Sequence, residues 1–173
     1  AKTTVLDLNQ EKLNSLKEIY GDKINVELSS KEKIESYLKE TDLLVGSVLI
    51  AGEKAPKLVT EDMVKTMRKG SVIIDVSVDQ GGCIETSEVT THDQPFIEKH
   101  GVLHYGVANM PGSVPFTSTM ALNNATFKYT KALADKGLDG TIAEFPEMRG
   151  AINCAKGEIC LLYTSDAADD CEG

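Results

Sequence analysis

The chain has 173 residues, a formal net charge of -9 and 41% hydrophobic residues, a length that suits one domain with a real core or a piece of something longer. An acidic balance without a long basic run argues against nucleic acid and membrane surfaces as partners. The lack of an apolar span near ~20 residues, with a start at Ala1-Lys2-Thr3-Thr4 that opens on a strand, argues for a soluble cytoplasmic protein.

Thr3-Thr4-Val5-Leu6 predicts a short strand ending at Asp7, and Asn9 caps a helix over Gln10 to Tyr20 that stops at Gly21. Ile24 to Leu28 is the next strand. Ser29-Ser30-Lys31-Glu32 has capping-box spacing for a helix through Leu38, so Ser29 has a purely capping role open to it. Asp42 to Ile50 reads as a central strand whose Gly46 lets a backbone or ligand approach. A loop follows over 51–57, then Thr60 caps a short helix with Met63, Val64 and Met67 inward and Gly70 at its end.

The run Ser71-Val72-Ile73-Ile74-Asp75-Val76-Ser77-Val78-Asp79-Gln80-Gly81-Gly82 stands out. It reads as a buried strand that delivers a carboxylate, Asp79, to the carboxyl end of a parallel sheet, although an ordinary turn aspartate explains the spacing equally well. Glu85 to His100 reads as polar surface, and Val102 to Val107 as a strand leading into the turn Ala108-Asn109-Met110-Pro111-Gly112. From Thr117 to Lys136, a stripe of Met120, Leu122, Ala125, Tyr129, Ala132 and Leu133 predicts a helix with a core-facing side, closed by Gly137. His92, His100 and His104 read as surface or turn histidines. Cys83, Cys154, Cys160 and Cys171 form no Cys-x-x-Cys and have no histidine at ligand spacing, which predicts reduced thiols and no metal site.

Strands alternating with short helices predict an α/β fold, a Rossmann-like doubly wound parallel sheet. No Gly-x-Gly-x-x-Gly is present. With Thr3 to Leu6 as the second strand, the first strand and its glycine-rich loop are expected upstream of residue 1, and their loss leaves unpaired edges in mid-sheet. An acid at the end of a second strand commonly accepts hydrogen bonds from an adenosine ribose; for Asp7, a favourable position at a helix N-terminus is the equally open alternative.

The segments Asp42 to Ile50, Gly52-Glu53-Lys54-Ala55-Pro56-Lys57-Leu58, Asp79-Gln80-Gly81-Gly82 and Val107-Ala108-Asn109-Met110-Pro111 stand in an order and spacing that resemble alanine dehydrogenase, over roughly residues 1 to 158. The resemblance implies an NAD-dependent enzyme that interconverts L-alanine and water with pyruvate and ammonia, built from a split substrate domain and a Rossmann NAD domain and assembled as a hexamer. It implies that residues 1–136 are a partial NAD domain, 137–158 the start of the return to the substrate domain, and 159–173 a disordered or non-native tail. It further implies Asp7 as the ribose acid with Lys12 and Ser29 on the adenosine side, Val48 and Leu49 at a strand end against the cofactor, and Val76, Ser77, Val78 and Asp79 under the nicotinamide. Val107, Ala108, Asn109 and Met110 would form the second wall of that pocket, with Asp79 the catalytic aspartate. Glu88 departs from the pattern, standing where some members carry a basic residue. The family's catalytic histidine and its substrate-gripping lysine and arginine have no counterpart here, so this polypeptide alone is expected to be inactive. Two alternatives stay open: the NAD-binding domain of a proton-translocating transhydrogenase, and a non-catalytic nucleotide-binding fragment.

Overall fold

The computed structural model describes residues 1–48, 50 and 54–160. The described residues fall into two compact units, one drawn from residues 1–48 and 55–108, the other from 50, 54 and 109–160.

The first unit carries the sheet. Its elements are β1 (Thr3–Asp7), α1 (Gln10–Tyr20), β2 (Ile24–Leu28), α2 (Lys31–Leu38), β3 (Leu43–Gly46), α3 (Glu61–Lys65), β4 (Val72–Asp75), β5 (Phe96–Lys99) and β6 (Val102–Tyr105). β1 and β2 pair in parallel, with Thr3 opposite Ile24 and Asp7 opposite Leu28. A second ladder has the order β3-β4-β6-β5, parallel from β3 to β6 and antiparallel at the β5 edge. α1 connects the parallel pair β1 and β2 and α3 the parallel pair β3 and β4, whereas β4 reaches its parallel partner β6 through a long connection without an α-helix.

Local chemistry explains the element ends. The Asn9 side chain accepts the Glu11 and Lys12 amides, opening α1, and Gly21, at φ 58°, closes it. Thr60 caps α3 by accepting from the Met63 amide, and Met63 and Val64 face inward as their spacing predicts. The cap of α2 lies one residue later than the capping-box reading: the Ser30 hydroxyl, not Ser29, accepts from the Lys33 amide. Ser29 instead donates its backbone N–H to the Asp7 carbonyl at 2.9 Å, extending the β1–β2 ladder.

One apolar core lies against the β3-β4-β6 ladder, formed by Leu38, Val59, Met63, Val64, Met67, Ile73, Ile84 and Val102. Two readings change here. The segment 85–100 is more than polar surface: it contains β5, and Thr86 and Thr90 are buried. His104, in β6, is 1% exposed rather than a surface or turn residue. Alternation in β6 turns Val102 and His104 to the same covered face, and a strand can bury a histidine whose ring nitrogens are both satisfied.

The second unit is dominated by α4 (Pro115–Glu144), followed by a hairpin of β7 (Cys154–Ala155) and β8 (Glu158–Ile159). Gly137, at φ 67° and ψ -176°, is non-helical and divides this span into two helices, closing the first where expected. The expected core stripe does not hold as a core. Ala132 is buried, but Met120, Leu122 and Leu133 are 48%, 66% and 46% exposed, and Phe116 and Phe127 also face solvent. Tyr129 packs edge-on against Phe145, with ring centroids 5.0 Å apart.

Candidate active site at the strand ends

β4 is shorter than the apolar run suggests. It ends at Asp75, and Val76, Ser77 and Val78 belong to the turn that follows, with Asp79 in a single 3-10 turn over Val78–Gln80. The carboxylate at the true strand end is therefore Asp75, which is fully buried. Its Oδ1 accepts the amides of Ser77 (3.1 Å) and Cys83 (3.3 Å), and its Oδ2 accepts the amide of Ile84 (3.2 Å). A buried carboxylate requires such donors, so Asp75 fixes both limbs of the loop on which Asp79 stands exposed.

Gly81 and Gly82 follow with φ 85° and 72°, a consecutive left-handed pair that only glycine adopts without strain. At Gly82 an added Cβ would also lie 2.7 Å from Asp75 Oδ2. From outside the loop, Lys57 Nζ donates to the Gly81 carbonyl at 2.6 Å and to the Ile84 carbonyl at 3.3 Å. Cys83 is buried beside the Asp75 carboxylate. Burial first, then that negative charge, push its thiol up to about 11, so it stays protonated at neutral pH.

Ser77 and Val48 are joined directly. The Val48 amide donates to Ser77 Oγ and the Ser77 hydroxyl donates to the Val48 carbonyl, both at 2.8 Å. The segments that follow β3 and β4 are thus pinned side by side, with the Val76 amide on the Gly46 carbonyl at 2.8 Å. Gly46 is where close approach happens, although the near neighbour is protein: a Cβ there would meet Cys83 Sγ at 2.5 Å. Leu49 lies outside the described residues.

The adenosine-side candidates divide between two cavities. Asp7 and Lys12 line one of about 480 Å³, with Asn9 and Ile19, and Asp7 Oδ1 accepts the Asn9 amide at 2.8 Å. Ser29 lines another, of about 300 Å³, with Leu8, Ile34, Lys57 and Leu58. Val107 and Ala108 continue from β6 at the same sheet edge as Asp79, with Val107 bridged in parallel to Thr90. Asn109, in left-handed conformation at φ 54°, and Met110 open the second unit.

Beneath the sheet, His104 Nδ1 donates to the Val102 carbonyl at 3.0 Å, which leaves Nε2 to accept from the Thr86 hydroxyl at 2.7 Å. Burial holds its pKa below the usual histidine range. Glu88 is paired with Lys99. Among the described residues no group of three metal-ligating side chains occurs, and no helix is long and apolar enough to cross a membrane. Reading from sequence singled out Asp79 but passed over Asp75 and Lys57. The signal for Asp75 was present: a carboxylate inside an apolar β-run demands buried N–H partners.

Comparison with known proteins identifies the surroundings of this site. A family model described as the alanine dehydrogenase/PNT C-terminal domain matches residues 1–161. The chain is 49% identical over 168 residues to alanine dehydrogenase 2 of Staphylococcus aureus (strain USA300), covering 96% of this chain and 45% of that protein. A solved L-alanine dehydrogenase superposes with a TM-score of 0.82 at 41% identity, over 98% of this chain and 47% of the other. A transhydrogenase from Sinorhizobium meliloti fits less well, with a TM-score of 0.62 at 27% identity, over 76% of this chain and 38% of the other. The chain thus spans less than half the length of these relatives, and its parallel-dominated α/β unit is the Rossmann-like fold expected. By the extent of these matches, the chain belongs to the alanine dehydrogenase/PNT C-terminal domain family.

Proposed function

We propose that this chain is the NAD-binding portion of an NAD-dependent L-alanine dehydrogenase, which converts L-alanine and water with NAD to pyruvate, ammonia and NADH. The observation that carries the reading is the Asp79 loop, held at the carboxyl end of β4 in a parallel sheet, where open α/β folds place their ligands. Residues 1–136 form the partial NAD domain, 137–158 begin the return to the substrate domain, and 159–173 form a tail of which 161–173 lie outside the described residues.

The residues present suit NAD. An adenosine needs a partly apolar wall with a few hydroxyl and carboxylate groups, and the two cavities near β1 and β2 supply Leu8, Ile34 and Leu58 with Ser29, Asp7 and Lys12. A carboxylate at Asp7 also disfavours the extra phosphate of NADP. Val48, Leu49, Val76, Ser77 and Val78 back the nicotinamide, and Val107, Ala108, Asn109 and Met110 form its second wall. When bound, the nicotinamide accepts hydride from the substrate carbon. Asp79 places negative charge beside the substrate nitrogen as that nitrogen becomes cationic, and orients the water that displaces ammonia.

The complete protein would act on L-alanine and pyruvate in L-alanine catabolism, as a cytoplasmic homo-oligomer, a hexamer by resemblance. The transhydrogenase reading is weaker, given its lower structural and sequence likeness. The test is alanine-dependent NADH formation by the complete polypeptide carrying this segment and, separately, by this chain alone. Turnover in the first and none in the second is expected; alanine-dependent turnover by this chain alone, or none by the complete protein, would overturn the reading.

A further inference from the structure

The loop that carries Asp79 is bound by two groups of opposite charge that meet on its return limb, Gly81 to Ile84. Asp75 works from beneath, accepting the amides of Ser77, Cys83 and Ile84. Lys57 works from outside, donating to the carbonyls of Gly81 and Ile84. Ile84 is gripped at both ends, its N–H by a carboxylate and its C=O by an ammonium. Within the turn the Gly81 amide returns to the Val78 carbonyl at 3.1 Å and the Gly82 amide to the Ser77 carbonyl at 2.9 Å, so Asp79 sits inside a closed ring of backbone bonds.

Asp75 is fully buried, whereas Lys57 is exposed. The segment that carries Lys57 is tied to the same loop by the Ala55 amide on the Gln80 carbonyl (2.9 Å) and the Leu58 amide on the Cys83 carbonyl (2.8 Å), and its ammonium adds two side-chain bonds. A lysine there for solubility would leave its ammonium in water. This one takes two carbonyls on the return limb, beside the position where a Cβ on Gly82 would come within 3.6 Å of its Nζ. Charge-assisted bonds of this kind are short and directional, and they hold a loop more firmly than neutral ones.

We propose that Lys57 and Asp75 form a positioning clamp for Asp79, with Lys57 the element that sets the height of the Gly81–Ile84 limb and thereby the placement of the carboxylate. The inference rests on the reading of Asp79 as the catalytic aspartate. Asp75 acts through the loop alone; Lys57 also lines the Ser29 cavity, so its action through the loop is read from kcat and from its coupling to Asp79. A displacement of about 1 Å at a reacting group is enough to lower turnover ~100-fold, so the clamp is expected to govern rate.

The experiment is a double-mutant cycle in the complete enzyme, with Lys57→Met, Lys57→Arg, Asp79→Asn and Lys57→Met/Asp79→Asn, reading kcat, KM for NAD and the unfolding midpoint. Lys57→Met is expected to lower kcat roughly 10- to 100-fold, and Lys57→Arg to recover most of the loss. In the Asp79→Asn background, Lys57→Met should lower kcat no further, because the residue it positions is gone. Equal losses in both backgrounds, or an unchanged kcat in Lys57→Met, would overturn the clamp while leaving Asp79 catalytic. Near-normal turnover in Asp79→Asn alone would overturn the reading beneath it. If Lys57→Met does not fold, Lys57→Gln is read in its place against the same outcomes.

Discussion

Two aspartates four residues apart divide the work at the end of β4. Asp75 is buried and bound to three backbone amides, a structural anion; Asp79 is exposed on the turn those amides help to build. The glycine pair completes the device, and its two members are not equivalent. Gly81 needs only its positive φ, whereas Gly82 needs that and the space beside Asp75 Oδ2. Gly81→Ala is therefore expected to lower unfolding free energy by about 1 kcal/mol and Gly82→Ala by about 2 kcal/mol or more, measured by urea unfolding. Equal effects would show that the close approach to Asp75 carries no weight. At this scale the sequence was partly legible: Asp-Gln-Gly-Gly announced a turn with a carboxylate, because glycine pairs are backbone signals. Lys57 was illegible, because which carbonyl a long flexible side chain reaches depends on tertiary placement 24 residues away.

At the scale of elements, caps and strands read well where a local signal decides them. Asn9, Gly21 and Thr60 end their helices as their side chains or their freedom dictate. β4 read too long because an apolar run does not show where pairing stops; partners on both sides fix that limit at Asp75. α4 failed as a core element for the opposite reason: apolar residues occur around much of its surface, and periodicity alone cannot name the side that is covered. β6 carries a pH-sensitive element in His104, which must be neutral to accept from Thr86 while donating to Val102. Its folded pKa lies below its unfolded value. The unfolded chain therefore takes up the proton first as pH falls, and stability is lost from about pH 6.5 downward, through the lowered folded pKa. The unfolding midpoint should fall between about pH 7 and 5, and His104→Gln should flatten that slope; an equally steep slope in the variant would contradict it.

The whole molecule raises a question of completeness within the sheet. β1-β2 and β3-β4-β6-β5 are separate ladders, and the β3 edge shows Leu43 and Val45 at 56% and 54% exposure. A further parallel strand between β1 and β3 would join the ladders and cover that edge, as the doubly wound expectation requires. The alternation of strands and helices made the fold class legible because it follows from hydrophobic periodicity, which short segments carry on their own. The gathering of site residues was less so: Ser29 faces a different cavity from Asp7 and Lys12, a separation that spacing along the chain does not encode. Whether Asp79 is the catalytic carboxylate is read from kcat and NAD affinity of Asp79→Asn in the complete enzyme. A fall in kcat of at least about 100-fold with NAD affinity kept within about 3-fold is the predicted result; turnover near that of the unmodified enzyme would contradict it.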